Sequence, residues 1–201
     1  MSLHEYAIVN HSRATVGRWI GVSAAFAAPI VVKLLAYTFS LPFMPDDFSR
    51  IAVSSGVIYF AFYWVFNRYG WRVLDKFLKT PNLSGVWLVD GKTINEAGEV
   101  TYAWKAKLTI IQNWDKIAIA SKTETSGSDS ETASIKLLPD GGTKLSYSYQ
   151  NHPRVGEKEL QKHQGFCELV FDQNLKIASG RYFNSSGRST SGSMDLKKEI
   201  A

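Results

Sequence analysis

Cysteine is almost missing from this chain: one residue, Cys167, in 201. A single thiol excludes an intramolecular disulfide and a Cys-based zinc site, and it suits a reducing compartment. The four histidines show no metal-ligand spacing, and neither a Gly-x-Ser-x-Gly nor a phosphate loop occurs. An excess of one charge is missing from most of the chain as well. Residues 1–80 hold eight Lys/Arg (13, 18, 33, 50, 68, 72, 76, 79) against four acids, leaving 15 basic and 14 acidic residues for 81–201. The formal +5 therefore belongs to the flanks of two apolar runs, and no DNA partner is expected.

What the chain does have is two unlike parts. Trp19 to Leu41 is apolar except for Ser23, Lys33, Thr38 and Ser40, and within Ile51 to Phe66 only Ser54 and Ser55 are polar. A helix needs roughly 20 residues to cross about 30 Å of hydrocarbon. The first run satisfies this, and the second does so when taken as 48–67. Residues 1–66 are accordingly expected to form a membrane anchor with spans at about 19–41 and 48–67. A cleaved signal peptide does not fit, because no small-residue cleavage pattern follows the first run.

Arg13 and Arg18 precede the first span, and Arg68, Arg72, Lys76 and Lys79 follow the second, whereas the 42–50 loop carries Asp46 and Asp47 against Arg50. The positive-inside bias predicts a multi-pass anchor with both termini cytoplasmic. Gly17, Gly21 and Ala25, with Ala24 and Ala28, give the first helix a small-residue face. That face suits either packing between the two spans or self-association between chains. Lys33 inside the span either snorkels or becomes pore-lining. Residues 67–80 read as an amphipathic juxtamembrane helix with Trp71, Leu74, Phe77 and Leu78 on one side, closed by Thr80-Pro81.

From residue 83 the period becomes two. Residues 81–201 are expected to form an all-β domain: an eight-stranded antiparallel up-and-down β-barrel, lipocalin- or fatty-acid-binding-like but smaller. The expected strands are about 84–92, 99–113, 116–124, a fourth ending at Leu138 after a polar turn at Thr125–Ser130, 144–151, one through His163–Phe171, 175–184, and a last one through Arg188–Leu196. At one end of several strands the inward parity meets Gln112, Thr123, Asn151, His163 and Arg188. Together with Tyr147 and Tyr149 they predict a pocket for a polar, flat ligand. Catalysis is not expected: no pair of carboxylates faces inward, and Cys167 lies about 13 Å along the strand from His163, too far for a nucleophile–base pair.

Two N-terminal spans followed by a strand-rich domain with Leu83-x-Gly85-x-Trp87, Leu108-x-Ile110-x-Gln112, Tyr147-x-Tyr149-x-Asn151, His163-x-Gly165, Gly180-x-Tyr182 and Arg188-x-Thr190-x-Gly192 resembles a known family. It is that of the two-transmembrane β-barrel effectors of bacterial cyclic-oligonucleotide-based antiphage signalling (CBASS). The resemblance implies that a nucleotidyltransferase makes a cyclic dinucleotide on infection and that the barrel binds it. It further implies that the effector then forms a homo-oligomer, and that the spans disrupt the inner membrane, halting growth or killing the cell. No enzyme activity and no cofactor are expected of the chain.

Such a ligand needs π-faces for its bases, which Tyr147, Tyr149, Tyr182 and Trp87 could offer, although the tyrosines also suit an ordinary barrel core. Base edges need paired donors and acceptors, for which Gln112, Asn151, Thr123 and Thr190 are candidates. Phosphates want Arg188, with Arg181 disfavoured by parity, and His163 suits either group. A membrane-tethered lipid or metabolite barrel without signalling is the alternative, and a purely structural membrane partner a third. Leu83 to Trp87 joins the two parts without a long linker, so it is expected to transmit between them, with Trp87 closing the core.

Overall fold

A computed structural model describes residues 2–9, 12–38, 55–78, 80–154, 162–185 and 189–199. The chain forms two units, Met1–Asn10 with Asp75–Ala201, and His11–Leu74.

In the smaller unit, α1 spans Arg13–Thr38 and α2 spans Ser55–Val65. Among the described residues, one helix is long and apolar enough to cross a membrane, in its portion Arg13–Val31. The expected second span overlaps α2, but its first residues and the 42–50 loop lie outside the described residues. Tyr59 of α2 lies beside Gly17 and Gly21, 3.8–3.9 Å from where a Cβ would stand, and Ala24 is buried. Those small residues thus pack within the chain, while Ala25 is exposed. The bulky side chains of Trp19, Phe26, Ile30 and Leu34 are exposed. The predicted helix over 67–80 is instead broken: a π-helical turn at Phe66–Gly70 leads to short helices at Trp71–Val73 and Asp75–Leu78. Trp71 is fully buried and Phe77 is exposed.

The larger unit is a closed barrel of nine strands, not eight. The strands are β1 (His4–Ile8), β2 (Gly85–Ile94), β3 (Val100–Gln112), β4 (Lys116–Lys122), β5 (Ser126–Leu137), β6 (Thr143–Pro153), β7 (His163–Phe171), β8 (Ile177–Ser185) and β9 (Ser191–Lys198). The eight strands after residue 81 pair antiparallel with their sequence neighbours, and β2 pairs β9. The ninth comes from ahead of α1. It enters the wall between β4 and β5, antiparallel to β4 through His4 and Glu5 and parallel to β5 through Tyr6–Ile8. Five residues are too short a run to show their period in the sequence alone. The polar turn expected at Thr125–Ser130 is likewise strand: Ser126–Ser130 lies in β5, and a bulge between Ser130 and Thr132 resets its parity for Ile135.

Alternation builds the core. β7 alternates buried and more exposed residues without a break from His163 to Phe171. The hairpin at Pro139–Gly142 is closed by Gly141 at φ 84° and by the Gly142 amide donating to Asp140 Oδ1 at 3.0 Å. The barrel interior is filled at one end by Leu83, Trp87, Ile110, Ile117, Ile135, Leu145, Leu169 and Phe171, all at most 1% exposed. There Trp87 meets Phe171 edge to face at 4.8 Å and donates from Nε1 to the Leu83 carbonyl.

Candidate ligand-binding site

At the other end the same strands leave a cavity of about 880 Å³. The register explains why it is empty of protein. Gly91 stands opposite Trp104, Gly165 opposite Tyr149, and Gly192 opposite Tyr182. A Cβ at Gly91 would lie 2.2 Å from the Trp104 ring, one at Gly165 2.4 Å from Tyr149, and one at Gly192 2.9 Å from Tyr182. At Gly91 and Gly165 the ring therefore occupies the space of a side chain its neighbour lacks, while at Gly192 the Lys92 carbonyl comes closer than the Tyr182 ring. Rings that would otherwise reach across the lumen lie along its wall.

Hydrogen bonds hold the rings in place. Tyr182 Oη shares a 2.8 Å bond with Thr93 Oγ1 and accepts from Trp104 Nε1 at 3.3 Å, the two rings meeting edge to face. Tyr149 donates to Asn184 Oδ1 at 2.7 Å, and Asn184 Nδ2 donates to Thr190 Oγ1 at 2.8 Å. Tyr147 lies deeper, 6.0 Å from the Tyr149 ring. Burial raises the Tyr147 phenol well above its ordinary value, with the neighbouring Cys167 adding to the effect. Burial likewise pushes the Cys167 thiol up to about 12. Both groups are neutral at physiological pH, so the floor of the cavity carries no charge.

The rim is polar. Asn151 pairs in register with His163, which is 5% exposed. Asn151 Nδ2 donates to Ser126 Oγ at 3.2 Å, while its Oδ1 is buried and has no hydrogen-bond partner among the described residues. Thr123 Oγ1 accepts from the Ser126 amide at 2.9 Å, folding the β4–β5 turn back on itself. Lys92, Lys105, Asp90 and Glu124 border the opening.

Of the residues singled out in the sequence, Tyr147, Tyr149, Asn151, Thr123, His163, Thr190 and Tyr182 line this cavity. Arg188 lies outside the described residues. Gln112 does not reach the cavity. Its parity is inward, but it sits at the filled end, where Oε1 accepts from the Leu83 amide at 2.9 Å and Nε2 donates to Tyr6 Oη and the Pro81 carbonyl, both at 3.1 Å. Trp87 belongs to the filled end too, and Arg181 is exposed, donating to Glu168 at 3.0 Å. Trp104, Thr93, Asn184, Ser126, Lys92 and Lys105 line the cavity and were not singled out. The signal for Trp104 was its pairing with an inward glycine.

As a chemical environment the cavity joins a neutral floor, flat aromatic walls and an amide–imidazole–hydroxyl rim with an open acceptor. It suits a flat, polar, multiply hydrogen-bonding molecule rather than an acyl chain. Among the described residues no cluster of His, Cys, Asp or Glu could hold a metal ion.

Comparison with known proteins divides the chain along similar lines. Residues 78–198 match the family model described as Cap15, cyclic dinucleotide receptor domain, and residues 14–72 match that described as Cap15, TM helices. The curated CD-NTase-associated protein 15 of Yersinia aleksiciae is 40% identical over 209 residues, an alignment covering 98% of each chain.

Proposed function

This chain belongs to the Cap15 family, and we propose that it couples capture of a cyclic dinucleotide in its barrel to disruption of the bacterial inner membrane. Membership makes it a CBASS effector with a receptor domain and a membrane segment; the family is one of receptors rather than catalysts.

One observation carries the reading of the site: the receptor region encloses about 880 Å³ beside rings fixed by their own hydrogen bonds. The bases stack on Tyr149, Tyr182 and Trp104, with Tyr147 beneath them, because every base offers a π-face and stacking tolerates any of them. The buried Asn151 Oδ1 takes an N–H from a base edge, with His163, Thr190 and Thr123 completing the contacts. Arg188 meets a phosphate, helped by Lys92 and Lys105 at the opening. Gln112 has no part in this, since all its polar atoms are engaged elsewhere.

The position of β1 supports two crossings. One barrel contains strands from both sides of the helical segment, and a barrel has one side of a membrane available to it. An even number of crossings must then separate Ile8 from Gly85. Because Arg13–Val31 supplies one, the other falls on the segment that includes Ser55–Val65. With the positive flanks, the termini and barrel lie in the cytoplasm, where a partner nucleotidyltransferase would release the messenger. Ligand binding drives a homo-oligomer whose spans damage the bilayer and arrest growth.

Calorimetric titration of the full chain in detergent with a panel of cyclic dinucleotides tests this. Micromolar binding to at least one member is expected, lost in Tyr149→Ala. Absence of binding across the panel, with co-purified lipid in the barrel, would favour a tethered lipid carrier instead.

A further inference from the structure

The two matched regions, 14–72 and 78–198, leave the first 13 residues without a role. The structure assigns them one: we infer that β1 is a latch, completing the receptor wall between β4 and β5 and passing the state of the cavity to α1. The inference rests on the proposed reading of the cavity as the messenger site.

The geometry is a fork. β4 and β5 pair directly only over Ala120–Lys122 and Gly127–Asp129, next to the cavity rim. Beyond that they part, and β1 fills the gap. Three strands converge on one hydroxyl at the branch point. Ser130 Oγ of β5 accepts from the Ile119 amide of β4 at 2.9 Å and lies 2.7 Å from His4 Nε2 of β1. The cross-strand partners of this segment are cavity residues: Ser130 pairs with Tyr149, and Ser128 with Asn151. A ligand that shifts Tyr149 or Asn151 thus acts one residue pair away from the branch. At the far end of β1, the Val9 amide donates to the Ile135 carbonyl at 2.8 Å, and four residues then separate Ile8 from the first residue of α1. Contact and covalent chain run unbroken from the cavity wall to the first span. The two-state element that a coupling route needs is β1 itself, seated in the wall or released from it.

β1 is also the element best suited to move. It holds the wall by two antiparallel and three parallel register pairs, whereas β2 and β3 share ten. Its inward anchors are Tyr6, whose Oη donates to the Asn113 carbonyl at 3.1 Å, and Ile8. Opening the latch breaks half as many register pairs as opening the β2–β3 seam, so a modest bias from the ligand suffices to shift its equilibrium.

Glu5 and Lys116 are exposed register partners on the outer face. A Glu5→Cys/Lys116→Cys chain can therefore be locked by oxidation, and the native Cys167 is buried out of reach. Full-length protein in phosphatidylethanolamine–phosphatidylglycerol vesicles is compared oxidised and reduced. The oxidised form is expected to bind the cyclic dinucleotide within about threefold of the reduced form and to release at least about tenfold less trapped dye, with reductant restoring release. His4→Ala, which frees Ser130 without locking anything, is expected to release dye at a lower ligand concentration, by about threefold. Equal ligand binding and equal release in the oxidised and reduced forms would overturn the latch alone. So would a disulfide formed between chains. A reduced protein that binds no cyclic dinucleotide would overturn the proposed function, and the latch with it.

Discussion

The two ends of the barrel are built from the same strands and do opposite things. β7 contributes Phe171 to one end and His163 to the other; β2 contributes Trp87 and then Gly91; β6 contributes Leu145 and then Asn151. At the filled end large side chains interlock at most 1% exposed, and their burial supplies the stability. At the open end glycines face aromatic rings, and the volume not filled is the site. Inward parity is thus necessary for a ligand contact but says nothing about depth along the barrel. Gln112 makes the point. It faces inward, and it serves the wall.

Substitutions should separate the ends. Phe171→Ala empties the centre of the filled end and is expected to cost about 3–5 kcal/mol of stability, read by chemical unfolding of the full chain, with no selective loss of ligand affinity in the folded fraction. Gln112→Leu keeps the volume but leaves the Leu83 amide without its acceptor, at about 1–3 kcal/mol. Its affinity for ligand should stay unchanged, and an affinity loss would restore Gln112 to the site. Gly165→Ala reverses the pattern: the new methyl displaces Tyr149, so affinity is expected to fall about tenfold, roughly 1.4 kcal/mol, with a smaller effect on unfolding.

A further effect is a slope rather than a step, and it is seen only at alkaline pH. The Cys167 thiol, pushed up to about 12 from 9.0, keeps its proton in the folded state while the unfolded chain loses it. Stability should therefore fall as pH rises above 9.0 and level off near 12, by about 1.4 kcal/mol per pH unit. Cys167→Ala should remove that share of the slope while Tyr147, also raised, still contributes at higher pH.

Much of this was legible in the chain. The period of two placed Tyr147, Tyr149, Asn151, His163 and Gly165 on one face because each lies in a long strand; burial alternates throughout β7, and in β6 from Thr143 to Ser148. Three things were hidden, each for a physical reason. The strand Ser126–Ser130 is polar and poor in β-formers, and pairing with β6 overrides that preference. Depth depends on how strands stagger around the barrel, which no single strand encodes. The ninth strand pairs with residues more than a hundred positions away, beyond any local pattern. Its discovery also changes the junction at Leu83–Trp87, which is one of two attachments between barrel and helices rather than the sole one.

The N-terminal strand has a consequence for how the protein is made. Ile8 leaves the ribosome early, but its partner Ile135 is synthesised 127 residues later, after both apolar segments have emerged. Loop closure across that distance is slow and comes late. The anchor is in place before the receptor wall can be sealed, so a half-made chain has no complete cavity with which to sense a messenger. If the barrel gates the anchor as proposed, that order is protective: the anchor is seated first, and the wall of its sensor is the last part to be fitted.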